Sequence, residues 1–190
     1  ADSFSGTSFV EPEQFGSIGW SNTIGSSGNM DGLNNVASTA SAIFASGFTY
    51  TSAGNIDRYL IKYDLSTGNK IWEANFPDNN NSQDGAFESM LLTADGGMIL
   101  TGVRNAEAGS LEGFKSYGNP AGGSAFVEYF NAEQLGSNNA PQASQWSTSL
   151  PGANSGKGIR QLPDGGYVVA ALDEEEGPAR AYRLNATGDI

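Results

Sequence analysis

The chain has 190 residues, with 21 acidic side chains against nine basic ones, a formal net charge of −12, no cysteine and no histidine. Without those two residue types, Ser-His-Asp and Cys-His catalysis, disulfides and nearly all protein zinc or copper sites are excluded. The negative charge repels nucleic acid and anionic membranes, and no apolar run reaches the roughly 20 residues that span a bilayer. We therefore expect neither a nucleic-acid partner nor membrane insertion.

The composition predicts an all-β fold. Glycine contributes 26 residues and aromatic side chains make up 11% of the chain. This mixture is typical of short strands joined by tight turns. No window keeps the apolar spacing of a helix long enough to favour a helical segment.

The first predicted elements are two strands that end at Trp20. The stretch SFVEPEQFGSIGW, residues 8–20, matches AFVEYFNAEQLGS at residues 125–137, which precedes another tryptophan strand. We therefore predict that residues 8–20 form the third and fourth strands of a repeating unit.

Residues 21–72 and 73–146 are predicted to be complete units of four strands each. In both units a polar Gly/Asn loop follows a tryptophan, and the fourth strand carries the next tryptophan. The stretch LIKYDLSTGNKIW, residues 60–72, is the third strand, turn and fourth strand of the first unit. The second unit contains an insert at residues 105–123.

Residues 147–190 repeat this order as far as a third strand and the turn after it. The first two strands of a unit are joined by ADGG at residues 94–97 and by PDGG at residues 163–166. Asp-Gly supplies the positive φ that two-residue hairpin turns need. We therefore expect two-residue hairpins at both positions.

Four antiparallel strands in units of roughly 45 to 50 residues are the pattern of a β-propeller blade. A β-sandwich is the alternative, although a sandwich does not require the same four-strand order in every unit. Propellers typically close with four to eight blades. We expect this chain to be a segment of about three blades in a propeller that continues beyond Ile190, with several chains completing one ring as the alternative.

The units resemble the secreted β-propeller repeats of the SBBP and delta-60 kind, and more loosely the PQQ-like propellers. The stretches that carry the resemblance are GSSGNMDG (25–32), DGGMILTG (95–102), DGGYVVAA (164–171) and DRYLIKYDLSTGNKIW (57–72). The resemblance covers nearly the whole chain except the insert, and the loop PGANSGKG departs from it. It implies a secreted or cell-surface scaffold or interaction module, without the catalytic residues of the quinone enzymes.

Two of the loops that follow a tryptophan have spacing that suits calcium. Ser27, Asn29 and Asp31 alternate ahead of a glycine, and Asn80, Ser82 and Asp84 repeat the pattern. Alternating oxygen ligands before a Gly turn can wrap Ca²⁺, although each loop has only one carboxylate. The alternative is that Asp31 and Asp84 cap turns through their side chains.

Three further features predict surface or packing roles. The run 173–176 is acidic and is expected to be a solvated loop. The recurrence of tryptophan at one strand position indicates packing between blades rather than sugar stacking. The insert is expected to contact a partner through Phe114, Lys115 and Tyr117.

The sequence as a whole predicts a non-enzymatic extracellular module. Its partners would be other protein chains or the remainder of its own propeller, and its sequons at Asn80 and Asn185 would make it a glycoprotein. No cofactor is expected beyond the calcium considered above. The alternatives are a carbohydrate-binding or carbohydrate-cleaving propeller and a calcium-stabilised adhesin.

Overall fold

The computed structural model describes residues 19–25, 31–51, 55–78, 83–109, 111, 121–173 and 177–190. Within these ranges the protein is all-β, as the composition predicts, with one short helix. The strands are β1 (Gly32–Ser38), β2 (Ala42–Tyr50), β3 (Ile56–Asp64), β4 (Lys70–Phe76), β5 (Gln83–Leu92), β6 (Met98–Glu107), β7 (Ser124–Phe130), β8 (Trp146–Ser149), β9 (Ser155–Gln161), β10 (Tyr167–Leu172) and β11 (Ala179–Leu184).

The strands form three antiparallel sheets in which each strand pairs with its neighbour in sequence. Sheet 1 has the order β1-β2-β3-β4, sheet 2 the order β5-β6-β7-β8, and sheet 3 contains β9, β10 and β11. The predicted order of strands is therefore confirmed for the units that these three sheets represent. The predicted strand–turn–strand at residues 60–72 is the junction of β3 and β4.

The second unit differs from the prediction between its third and fourth strands. The expected turn there is a short helix, α1 (Ala132–Gly136). Asn131 caps it by accepting from the backbone N–H of Gln134, whose side chain accepts from the N–H of Asn131 in return. This reciprocal capping box supports a single helical turn that the strand pattern does not predict.

The Asp-Gly hairpins are three-residue loops rather than the predicted two-residue turns. Residues 94–96 are closed by a hydrogen bond from the N–H of Thr93 to the carbonyl of Gly97, and residues 163–165 by the equivalent bond from Leu162 to Gly166. The last residue of each loop is a glycine with φ of +83° or +84°. The expected positive φ is thus present, but the aspartate lies ahead of it in a turn that ends on left-handed glycine.

The sheets pack face to face in chain order. One hydrophobic core joins sheet 1 to sheet 2 and a second joins sheet 2 to sheet 3. The first core contains Phe44 and Trp72 from sheet 1 with Phe87 and Phe126 from sheet 2. Sheet 2 is therefore covered on both of its faces.

Each sheet has two faces. The preceding face is the one that, in sheets 2 and 3, packs against the sheet before it, and the following face is the one that, in sheets 1 and 2, packs against the sheet after it. The same names are used for the corresponding outer faces of sheets 1 and 3. In β6, Leu100 lies on the preceding face and Ile99 on the following face. The cross-strand pairs match between sheets, since Phe44↔Lys62, Ile99↔Tyr129 and Val168↔Arg183 occupy corresponding places. One pattern of alternation therefore describes all three sheets.

Candidate functional site

The most regular feature of the molecule is a contact that each tryptophan makes with the next sheet. Trp72 is 5% exposed in the core between sheets 1 and 2, while Trp146 is half-buried against sheet 3. Trp20 is half-buried against the preceding face of sheet 1, beside Tyr63. The predicted packing role is thus met most fully by Trp72, and the other two tryptophans keep part of their surface accessible.

Hydrogen bonds repeat this contact atom by atom. The indole N–H of Trp20 donates to the carbonyl of Leu65, and that of Trp72 to the carbonyl of Ser137, both at 3.1 Å. Both acceptors lie in the connection between the third and fourth strands of the next sheet. The same connection therefore receives the tryptophan each time.

The residue two positions after the tryptophan makes a second recurrent bond. Asn22 donates its amide N–H to the carbonyl of Gly68 at 2.6 Å, and Thr148 donates its hydroxyl to the carbonyl of Gly188 at 2.7 Å. Side chains two residues apart on an extended segment point to the same side. Both tryptophans and both polar residues are therefore directed at the following sheet.

The receiving turns need glycine. Gly68 has φ of +72° and Gly188 has φ of +90°, which side-chain-bearing residues rarely adopt. A Cβ on Gly68 would lie 2.4 Å from the ring of Trp20, and one on Gly188 would lie 2.6 Å from the ring of Trp146. The glycine thus makes both the turn and the close approach of the indole.

Apolar residues complete the pattern at the fourth position after each tryptophan. Ile24, Phe76 and Leu150 occupy this position, and each packs in the same hydrophobic cluster as its tryptophan. The motif W-x-x-x-[I/F/L] was available in the sequence as a period-2 signal. Residues 20–24 share this pattern and its contacts with the following sheet, although they form no strand in the structure.

The preceding face of sheet 1 is an open apolar groove of about 430 Å³. Its lining includes Trp20, Ile24, Ile43 and Tyr63. Two residues on its β1 side, Leu33 and Val36, are 44% and 72% exposed. Exposed aliphatic side chains gathered around a groove mark an interaction surface.

A buried ionic group lies between sheets 1 and 2. Arg58 donates to Glu128 at 2.6 Å and to Asp78 at 3.1 Å, and its guanidinium lies 5.0 Å from the centre of the Phe126 ring. All three charged residues are less than 10% exposed. Arg58 therefore ties β3 to β7 and to the segment that leaves β4.

Burial also shifts the pKa values of the carboxyls near Arg58. Desolvation raises the pKa of Asp57 and of Asp78, and the mutual repulsion of the two carboxylates raises that of Asp57 further. Arg58 counteracts both shifts. Because the pKa values of Asp57 and Asp78 are raised in the folded state, protonation of these carboxyls favours folding. This contribution to the stability of the protein is present below the unfolded pKa and is lost as the pH rises through the raised values.

The two described aspartates of the calcium hypothesis make hydrogen bonds within the protein. Asp31 accepts from the hydroxyl of Thr49 and the N–H of Tyr50, whereas Asp84 accepts from the N–H groups of Ile56 and Gly109 through different oxygens. These donors lie 18 to 28 positions away in the chain, so the bonds are not the local turn caps of the alternative prediction. They instead hold Asp31 to the end of β2, and Asp84 to β3 and the segment after β6. No group of three or more metal-ligating acidic, histidine or cysteine side chains occurs among the residues described.

Other predicted residues fall partly outside the described ranges. Those outside are Ser27, Asn29, Asn80, Ser82, Phe114, Lys115 and Tyr117, together with most of the two strands predicted at residues 8–20. Asn185 is exposed in the turn after β11, where its side chain accepts from the hydroxyl of Thr187 at 2.9 Å. Asp173, which opens the acidic run, pairs with Arg180.

Searches against known proteins add no identity to this geometry. No known protein family matches the chain, and no curated protein shows significant similarity to it. None of the helices described could cross a membrane, for want of length and apolar character.

Proposed function

We propose that this protein is a non-enzymatic, extracellular structural or interaction module, built as a segment of a β-propeller. The observation that carries the proposal is the recurrent tryptophan contact, which joins each sheet to the next in one direction. Stacked four-stranded antiparallel sheets with one repeated interface are the construction of a propeller. Such a repeat presents surfaces on which partners can bind.

The placement of the aromatic residues favours a scaffold over a lectin. A sugar-stacking platform needs an aromatic ring with a free face. Here Trp72 is buried between sheets, Trp20 covers Gly68, and Trp146 covers Gly188. All three rings are engaged in joining sheets, although Trp20 also lines the open groove of sheet 1. This shared engagement supports the interaction-module proposal.

Glycan binding by the 190-residue protein tests this proposal. We expect no retention on an array of neutral and acidic glycans and no release of reducing ends from polysaccharides. Trp146→Ala should lower thermal stability, because it empties part of the contact with sheet 3. Saturable glycan binding that is lost in Trp146→Ala, with folding intact, would identify a lectin instead.

A further inference from the structure

We propose that two copies of this chain pair reciprocally, the following face of sheet 3 in one copy docking on the preceding face of sheet 1 in the other. The inference rests on the proposed scaffold function and names its partner as a second copy. In the pair, residues 19–24 of each copy act as the fourth strand of the other copy's sheet 3.

The exposed residues of sheet 1 occupy positions that are covered in the other sheets. Val36 pairs with Ala45 across β1 and β2, as Ile159 pairs with Val169 across β9 and β10. Val36 is 72% exposed, whereas Ile159 is 1% exposed beneath sheet 2. The preceding face of sheet 1 is therefore a docking position of the kind that sheet 2 fills for sheet 3.

Sheet 3 presents the complementary surface. Its following face carries the pair Ala170↔Ala181, in the place of Ser46↔Leu60 in sheet 1. Ser46 and Leu60 are fully buried, while both alanines are exposed. The two small, apolar and accessible alanines suit close packing against Leu33 and Val36.

The edges of the two partners also match. Among the described strands, none pairs with the outer edge of β11, and none pairs with residues 19–24. Unpaired strand edges are templates for pairing with another chain. Trp20 and Asn22 already contact sheet 1 as Trp146 and Thr148 contact sheet 3.

The repeat geometry fixes the register of the new pairing. Trp72 lies opposite Lys62, and Trp146 lies opposite Tyr129, which corresponds to Arg183 in β11. Trp20 of one copy should therefore lie opposite Arg183 of the other, with Asn22 opposite Ala181. The cation at this position has a precedent, since the ammonium of Lys62 donates to carbonyls of Leu135 and Ser137 in the following sheet.

Reciprocal pairing gives a closed assembly. Interfaces that join unlike faces form rings when the rotation closes and open filaments when it does not. The three described sheets of each of two copies would together form a ring of six, within the usual four to eight blades of a propeller. Each copy would then have both of its outer faces covered.

Light scattering coupled to size exclusion tests the pairing on the 190-residue protein. We expect a mass of twice 19.8 kDa. Val36→Glu places a charge in the interface and should return the mass to that of one chain, whereas Ala94→Glu, at an exposed turn outside both faces, should leave the dimer intact. A single-chain mass for the unmodified protein, or an open series of larger species, would overturn the proposal.

Disulfide trapping tests the register separately, because the chain has no cysteine of its own. The double variant Asn22→Cys/Ala181→Cys should give a covalent dimer on a non-reducing gel, since paired strands bring Cα atoms within the roughly 4.4–6.8 Å that a disulfide spans. Asn22→Cys/Ala186→Cys should remain monomeric on the same gel. Equal cross-linking of both variants would refute the register. Glycan binding by an intact dimer would instead overturn the scaffold function and leave the pairing in place.

Discussion

At the residue scale, Arg58 is the side chain whose loss should matter most. It holds Asp78 and Glu128 in an interior where neither carboxylate reaches bulk water. We expect Arg58→Met to destabilise the fold by about 3–5 kcal/mol, because both carboxylates would remain buried without a counter-charge. Denaturant unfolding measures this. The exposed pair Lys70–Glu73 provides the control, and Lys70→Met should cost less than about 1 kcal/mol; similar losses in the two variants would contradict the role of Arg58.

Asp64 carries a pH dependence of the opposite sign to that of the buried aspartates. Hydrogen bonds from the hydroxyls and N–H groups of Ser66 and Thr67 lower the pKa of Asp64 to about 2. Because the folded value lies below the unfolded one, its stabilisation is present above the usual carboxyl range and is lost as the pH falls toward that value.

Asp64→Asn should therefore be less stable than the unmodified protein near neutral pH, with the gap narrowing in acid. Thermal melts of both proteins from about pH 6 down to about pH 2 measure the gap. Asn is the matched replacement, since it keeps an acceptor oxygen but cannot ionise. A gap that stays constant over this range would show that the charge of Asp64 contributes nothing.

At the scale of elements, the turn between the third and fourth strands is where each sheet receives its neighbour. Gly68→Ala and Gly188→Ala should each destabilise the protein by more than about 1 kcal/mol, because a Cβ is strained at positive φ and collides with an indole ring. Gly136→Ala is the control, since a Cβ there meets no atom within 4 Å. Equal melting temperatures for all three variants would show that the indole contact does not depend on glycine.

At the scale of the whole molecule, sheet 2 should be the most stable part. It packs against sheet 1 through one core and against sheet 3 through another, and Leu100, Phe126 and Val127 in its middle strands are fully buried. Amide hydrogen exchange, measured at a protein concentration low enough to keep single chains, should therefore be slowest in β6 and β7. It should be fastest in the edge strands β1 and β11. Uniform exchange across the three sheets would indicate that they open only as one unit.

Much of this architecture follows from the sequence alone, because it depends on local chemistry. Alternation of apolar and polar residues determines strands, glycine determines the turns, and the spacing of Trp20, Trp72 and Trp146 determines that one four-strand order recurs. Each of these signals is either local or a recurrence of local stretches along the chain, so no long-range contact is needed to recognise it.

Only the tertiary structure decided which of these residues meet. Arg58 and Glu128 are 70 positions apart in the chain, and nothing local in either stretch predicts that they pair. The helix α1 depended on a reciprocal cap, and the contact of Trp20 with Gly68 depended on the stacking of one extended segment on another sheet. The period of apolar residues and the chemistry of the turns specify which face of a strand is apolar. Which surface covers that face depends on packing between sheets, and that packing involves residues from distant parts of the chain.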